Sequence, residues 1–162
     1  MKRVYWAAFA VMALSGCATV GDPRLAPLSA QIIDSALTGA PAQLQQAADQ
    51  GNANAQFSYS IVLHYGLNGA RQDADAAGAY RRLALASRGT TTSAIYVPSG
   101  KHSGHTQLIS IPRYDITAGE AKSIDACVDT LSSRLRADLV TTQCGGPANY
   151  ARLADLWAKA RP

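Results

Sequence analysis

The sequence predicts a mainly α-helical fold of about six helices, with a small β-hairpin or irregular excursion among them. In residues 27–89, and again in residues 117–162, apolar side chains recur three and four positions apart, and glycine or proline separates one such segment from the next. That spacing places the apolar side chains on one face of a helix. In residues 90–116 the spacing is lost, and β-branched residues flank a glycine-containing loop, which favours strands.

The N-terminal residues divide into three zones. Lys2 and Arg3 form a basic start, residues 4–13 are apolar throughout, and Leu14-Ser15-Gly16-Cys17 follows. This apolar run is about half of the ~20 residues that a membrane-crossing helix needs. The pattern therefore predicts a cleaved export signal over residues 1–16.

The ending Leu14-Ser15-Gly16-Cys17 resembles the lipobox of bacterial lipoprotein precursors. The resemblance implies that Cys17 carries a diacylglycerol and an N-acyl chain, and we expect no other cofactor. Ala18 stands where an aspartate would resemble an inner-membrane retention signal, so we expect an anchor in the outer membrane that faces the periplasm. An ordinary secretory signal that contains a cysteine is the alternative. Residues 17–26 are then a lipidated tether.

The charge of the chain does not indicate a nucleic-acid partner. Fifteen Lys and Arg residues against eleven Asp and Glu residues give a formal net charge of +4. Lys2 and Arg3 leave with the signal, so thirteen basic residues against eleven acidic ones remain, a net charge of +2. These charges are scattered, whereas nucleic-acid-binding domains cluster their basic residues.

Four helices are predicted in residues 27–89, because a proline or a capping side chain precedes each apolar segment. Three of the four segments end at or directly before a glycine, a residue that commonly terminates helices. The predicted helices begin at or just after Pro27, Pro41, Asn52 and Asp73, and they end near Gly39, Gly51, Tyr65 and Ala86.

This region carries a family resemblance. The stretch from Ala48 to Phe57 resembles a SEL-one-like repeat, as do Gly66, Gly69, Asp73, Ala77, Tyr80, Arg82, Ala84 and Gly89. The resemblance implies a tetratricopeptide-like array of stacked helix pairs that binds other proteins. Only one full repeat is recognisable, with residues 28–50 a degenerate partner, and Tyr59-Ser60 replaces the usual Leu-Gly. Since each repeat buries its faces against neighbours, other elements must complete the core.

The helix predicted over residues 52–65 has two apolar stripes but needs only one to pack on its partner helix. We expect part of the second stripe to stay open around Tyr59, His64 and Tyr65 and to bind a partner. Core packing is the alternative for the two tyrosines. Phe57 is predicted to lie in the core.

Residues 117–162 predict two helices joined by a disulfide. Thr117 and Glu120 form a capping-box pattern before a helix that runs to about Leu139, and Pro147 starts the last helix. Cys127 and Cys144 are an even pair in an oxidising compartment, so a disulfide is expected, with two buried thiols as the alternative. The stapled pair is expected to cap the helical array.

The excursion contains two histidines that suggest a metal site. Short strands are predicted over residues 95–97 and 106–111, with a loop between them that includes His102 and His105. Zinc normally takes three or four protein ligands, and no carboxylate lies nearby in sequence. We therefore expect a solvated loop and no metal, with a metal-dependent envelope hydrolase acting through His102 and His105 as the alternative.

The motifs together predict a protein that is not an enzyme. No nucleophile elbow, phosphate-binding loop or dinucleotide fingerprint is present. We expect a lipid-anchored periplasmic scaffold or adaptor that binds an envelope protein or peptide through its helical surface. A peptidoglycan-associated structural lipoprotein is a further alternative.

Overall fold

A computed structural model describes residues 27–99, 103–133 and 142–162. These residues form six α-helices and one antiparallel hairpin, which confirms the predicted mainly α-helical fold with a small hairpin. The helices are α1 (Leu28–Thr38), α2 (Pro41–Asp49), α3 (Ala53–Tyr65), α4 (Ala74–Ala86), α5 (Ala118–Ser133) and α6 (Pro147–Ala160), and the strands are β1 (Arg88–Ser99) and β2 (Ser103–Tyr114). None of these helices is long and apolar enough to cross a membrane. The predicted signal, Cys17 and the tether lie outside the described residues.

Local side-chain contacts fix where three of the helices begin. The Asn52 side chain accepts a hydrogen bond from the Ala55 amide at 3.0 Å, and Asp73 accepts one from the Ala76 amide at 2.9 Å. At α5, the Thr117 amide donates to Glu120 at 2.7 Å, and the Glu120 amide donates to the Thr117 hydroxyl at 3.2 Å. Each contact satisfies a backbone amide that the helix leaves without a partner.

Helix α3 lies at the centre of the bundle and packs against α1, α2 and α4. All its residues from Ala55 to Leu63 are buried. Two of its buried polar side chains bond to neighbouring helices: Ser58 donates to the Ile32 carbonyl at 2.9 Å, and Gln56 donates to the Ala48 carbonyl at 3.0 Å. The second apolar stripe of α3 is therefore covered mostly by other helices of the same chain.

Helices α5 and α6 pack against α1 and against each other. The Ser29 hydroxyl of α1 donates to the Gln143 carbonyl at 3.0 Å, and Arg152 of α6 forms an ion pair with Asp34 of α1. Helices α5 and α6 thus close a bundle around α1. They do not continue the array of stacked helices beyond α4. The wide apolar face of α1 explains this, because it needs partners on two sides; its buried residues are Ser29, Ala30, Ile32, Ile33, Ala36 and Leu37.

The hairpin is longer than the sequence predicts. Its strands pair in continuous register from Arg88 opposite Tyr114 to Ser99 opposite Ser103. The prediction ended the first strand at Val97 because proline normally interrupts strands, yet Pro98 lies within β1. It missed residues 88–94 because they lack the alternation of apolar and polar residues that indicates a strand. A two-stranded sheet consists only of edge strands, where proline is tolerated. The predicted boundary of the excursion at residue 90 is accordingly two residues too late.

Candidate binding cleft

A cleft of about 450 Å³ separates the α3–α4 pair from α5. Helix α3 contributes both apolar and aromatic side chains, α4 contributes mainly small ones, and α5 contributes two carboxylates. The cleft is lined by Ser60, Ile61, His64, Tyr65, Ala74, Ala77, Gly78, Arg81, Asp125, Val128 and Asp129. We refer to these residues as the α3–α4–α5 cleft.

The small residues of α4 keep the cleft open. Ala74, Ala77 and Gly78 face it at a spacing of about one helical turn. A Cβ atom on Gly78 would come no closer than 3.4 Å to the nearest atom, which belongs to the Arg82 side chain. Larger side chains at these positions would fill the gap, so the residue sizes on α4 set the width of the cleft.

At one end of the cleft, Arg81 of α4 contacts side chains of both α3 and α5. Its guanidinium lies 4.8 Å from the centroid of the buried Phe57 ring on α3 and forms an ion pair with Asp125 on α5. The cation–π contact holds the guanidinium in place. Both members of the ion pair are partly exposed, and such pairs contribute only ~0–1 kcal/mol to stability. A ligand can therefore compete for this ion pair at little cost.

Asp129 lies one helical turn beyond Asp125 on α5 and is exposed. Within residues 27–99, 103–133 and 142–162, the ion pairs involve other carboxylates and leave Asp129 without one. The cleft thus combines an arginine in a weak ion pair with a carboxylate that faces solvent, and it offers its negative charge to a cationic ligand.

Tyr65 forms the other end of the cleft and is held firmly. Its ring packs edge-to-face on His64 at 4.6 Å and on Trp157 at 5.1 Å between centroids. Burial raises the pKa of the Tyr65 phenol, while a hydrogen bond with Ser132 works against that increase. The phenol is therefore protonated at neutral pH and can act as a hydrogen-bond donor.

The structure brings two of the three predicted partner-binding residues to this cleft. His64 and Tyr65 line it, but Tyr59 is only 8% exposed and lies on another side of α3. The Tyr59 hydroxyl donates to Gln45 of α2 at 3.1 Å, and its ring packs on Tyr80 of α4 at 5.0 Å. The expected surface shared by all three residues is therefore wrong, because α2 and α4 cover Tyr59.

Cys127 and Cys144 form a disulfide with their Cα atoms 5.2 Å apart. Both residues are fully buried, so the bond lies inside the bundle and is not exposed in the cleft. Cys127 sits on α5 between Asp125 and Asp129 in sequence, so the disulfide anchors the wall that carries both carboxylates.

The histidines proposed as alternative metal ligands are only partly described. His105 lies on β2 opposite Val97, and His102 falls outside the described residues. Within the part of the chain that the structure describes, no group of three or more metal-ligating side chains comes together. The metal site at His102 and His105 stays a hypothesis.

The sequence prediction missed Arg81, Asp125 and Asp129. One signal was available for the two carboxylates: they are spaced four residues apart, beside the apolar stripe of α5 that includes Ile124 and Val128. Such a spacing places them on one helical face. No sequence signal identifies Arg81 as their neighbour, since that contact depends on how α5 packs.

The chain matches no protein-family model, no curated protein and no solved structure. The resemblances to the lipobox and to the SEL-one-like repeat therefore rest on the residues that carry them.

Proposed function

We propose that this chain is a non-enzymatic adaptor of a bacterial cell envelope, anchored to the outer membrane by lipid on Cys17 and facing the periplasm. It binds a segment of an envelope protein in the α3–α4–α5 cleft. The observation that supports this function is an open, preformed cleft whose exposed carboxylate lies next to an apolar floor.

The size and chemistry of the cleft favour a short peptide segment. Sites for small molecules and short peptides typically measure about 300–1,000 Å³, so a cleft of about 450 Å³ holds a few side chains. Ile61 and Val128 at the floor suit an aliphatic side chain, and Asp129 suits a lysine or arginine. The Arg81 guanidinium can donate hydrogen bonds to a backbone carbonyl or a carboxylate of the same segment.

The predicted tether fits an adaptor role. Residues 17–26 span at most about 35 Å when extended, at roughly 3.3–3.6 Å per residue. The domain that begins at Pro27 would then stay within this distance of the membrane and meet partners that are themselves attached to the envelope.

Site-specific photo-crosslinking in cells tests whether the cleft is occupied. A photoreactive residue at Ala74, inside the cleft, is compared with one at Ala151, an exposed alanine on α6. We expect a discrete adduct from position 74 only, and we expect Asp129→Lys to abolish it while Asp155→Lys, an exposed carboxylate on α6, does not. Equal adducts from positions 74 and 151, or an adduct insensitive to Asp129→Lys, would contradict binding in the cleft.

The anchor is tested separately. Mass spectrometry of the membrane-extracted chain should show an N-terminus at Cys17 with the mass of its acyl chains, and Cys17→Ala should remove that mass. A mature chain that begins elsewhere without acyl mass would contradict the lipid anchor, whatever the result for the cleft.

A further inference from the structure

The hairpin projects from the bundle with both of its faces exposed. The helices make few contacts with either strand, and none of residues 88–98 and 104–114 is buried. Several apolar side chains are nevertheless present, with Leu108 70% exposed and Tyr96 67% exposed. A two-stranded sheet is only marginally stable by itself. We therefore expect this hairpin to gain further strands, or to have one face covered by another element, when it is stable.

The two prolines determine which backbone groups point outward. Thr90 pairs with Pro112, and Pro98 pairs with Gly104. Since proline has no amide hydrogen to donate, both pairs belong to the non-hydrogen-bonded set of the antiparallel ladder. Residues of this set direct their N–H and C=O groups away from the partner strand. The outward positions of β2 are therefore Gly104, Thr106, Leu108, Ser110 and Pro112.

This outer edge is symmetric about Leu108. Thr106 and Ser110, both hydroxyl residues, flank it at equal distance along the strand. Leu108 is also the most exposed of the large apolar side chains in the described residues. A twofold axis at Leu108 would place each hydroxyl residue of one copy opposite a hydroxyl residue of the other, and cross-strand Thr–Ser pairs are favourable.

The edge carries none of the charges that normally prevent identical strands from pairing. Natural edge strands are commonly protected by lysine or other charged side chains. From residue 103 to residue 112, β2 contains no Lys, Arg, Asp or Glu. In the register centred on Leu108, Arg113 of one copy falls opposite the uncharged Ser103 of the other, so no like charges meet.

We propose that two copies of this chain pair through β2, antiparallel and about a twofold axis at Leu108. The two hairpins then form a four-stranded sheet, which has the strand number that a stable sheet requires. The backbone groups of Thr106, Leu108 and Ser110 bond to the second copy, and the two Leu108 side chains cover each other. The interface is isologous, as in most dimers, and it does not involve the cleft.

Cysteine crosslinking in native membranes tests the register directly. Residues opposite each other in a hydrogen-bonded antiparallel pair have Cα atoms about 5.5 Å apart, within the range that a disulfide spans. We expect the full-length Leu108→Cys chain to form a disulfide dimer upon mild oxidation. Ala94→Cys is the matched control, because Ala94 pairs with Leu108 but lies on the opposite edge of the hairpin. It should form no disulfide-linked dimer, and neither should the parent chain, although both still pair through β2.

Two proline substitutions separate loss of the interface from damage to the hairpin. Ser110→Pro removes an outward amide from β2, and Thr92→Pro removes one from the paired residue on β1. In the Leu108→Cys chain, we expect Ser110→Pro to abolish the dimer and Thr92→Pro to retain it. Circular dichroism of both variants establishes that the helices remain folded.

Three outcomes would overturn the proposal. The first is a Leu108→Cys chain that forms no disulfide-linked dimer, and the second is equal crosslinking of Ala94→Cys. The third is an adduct whose mass is not twice that of the chain, which would assign the edge to a different protein. None of these outcomes bears on the cleft, which is probed at Ala74.

Discussion

Apolar side chains are buried in the helical bundle but exposed in the hairpin. Large apolar side chains of the bundle such as Phe57 and Leu153 are fully buried, whereas no described side chain of the hairpin is buried. Along β1 and β2 the apolar residues alternate between both faces: Ile95 and Ile111 lie on one, and Tyr96 and Leu108 on the other. The comparison shows that apolar content stabilises a fold only where neighbouring elements cover it, and that uncovered apolar surface is available for binding.

The largest expected effect lies at the centre of the bundle. Phe57→Ala removes a fully buried ring that also contacts the Arg81 guanidinium. We expect the free energy of unfolding to fall by about 3–5 kcal/mol, as for other large-to-small core changes. Chemical denaturation monitored by circular dichroism measures this, with Tyr96→Ala in the hairpin as the comparison. A similar loss in both variants would show that the hairpin is part of the same core.

The next largest effect is expected from the disulfide. Replacing Cys127 and Cys144 together with serine removes a crosslink between residues 17 positions apart. Loss of a native disulfide of this kind costs about 2–4 kcal/mol, and the change should leave α1 to α4 able to form. Denaturation of the double variant, beside the parent chain with and without reductant, measures the cost. A double variant as stable as the oxidised parent chain would contradict a stabilising role.

A smaller effect is expected from the tyrosine that links α4 to α2. The Tyr80 hydroxyl donates to Asp49 at 2.6 Å, which raises the pKa of Tyr80 to about 12. Because the folded state holds this proton more tightly than the unfolded state does, its contribution is complete below pH 10 and is lost as the pH rises to about 12. Tyr80→Phe should cost about 1 kcal/mol at neutral pH.

Measuring the free energy of unfolding between pH 9 and pH 12 tests the origin of this effect. The alkaline decline should be weaker in Tyr80→Phe than in the parent chain. Tyr59 and Tyr65 also have raised pKa values, caused first by burial, and they contribute to the decline that remains. An unchanged decline in Tyr80→Phe would contradict a contribution from the Tyr80 proton.

The smallest effect on the bundle is expected from Leu108. Leu108→Ser changes an exposed side chain on a strand that makes few contacts with the helices, so the unfolding of the helices should shift by no more than about 0.5 kcal/mol. The same variant should weaken the dimer without abolishing the backbone pairing of β2, because the two Leu108 side chains no longer cover each other. Sedimentation at several protein concentrations would detect the shift toward monomer. A helical bundle destabilised by several kcal/mol would mean that Leu108 is covered by its own chain.

The helix starts could be predicted because their signals are local. Asn52, Asp73 and the Thr117–Glu120 pair cap helices as their sequence patterns indicate. The burial of Tyr59 could not be predicted, because it depends on Gln45 and Tyr80, which reach it only after α2 and α4 have packed. A capping pattern involves residues three positions apart, whereas this contact requires the tertiary arrangement.

The same distinction between local signals and tertiary contacts explains which parts of the cleft and of the hairpin could be predicted. His64 and Tyr65 were found from the apolar stripe of α3, but their neighbours on α5 were not, because α5 docks through α1 and the disulfide. The strand ends were misplaced because Pro98 was interpreted as an interruption. Its pairing with Gly104 shows that proline fits this hairpin without breaking the ladder.

Removing the hairpin tests most directly whether the bundle supplies the stability and the hairpin supplies a binding edge. The base of the hairpin is closed by a bond from the Asp115 amide to the Ser87 carbonyl at 3.3 Å. Gly89 and Arg113 are the next hydrogen-bonded pair of the ladder, so residues 90–112 can be replaced by an Asn-Gly turn between them. We predict that the free energy of unfolding changes by no more than about 1 kcal/mol, that crosslinking at Ala74 is kept, and that dimers disappear. Unfolding of the shortened chain, or dimers that persist without β2, would contradict this account.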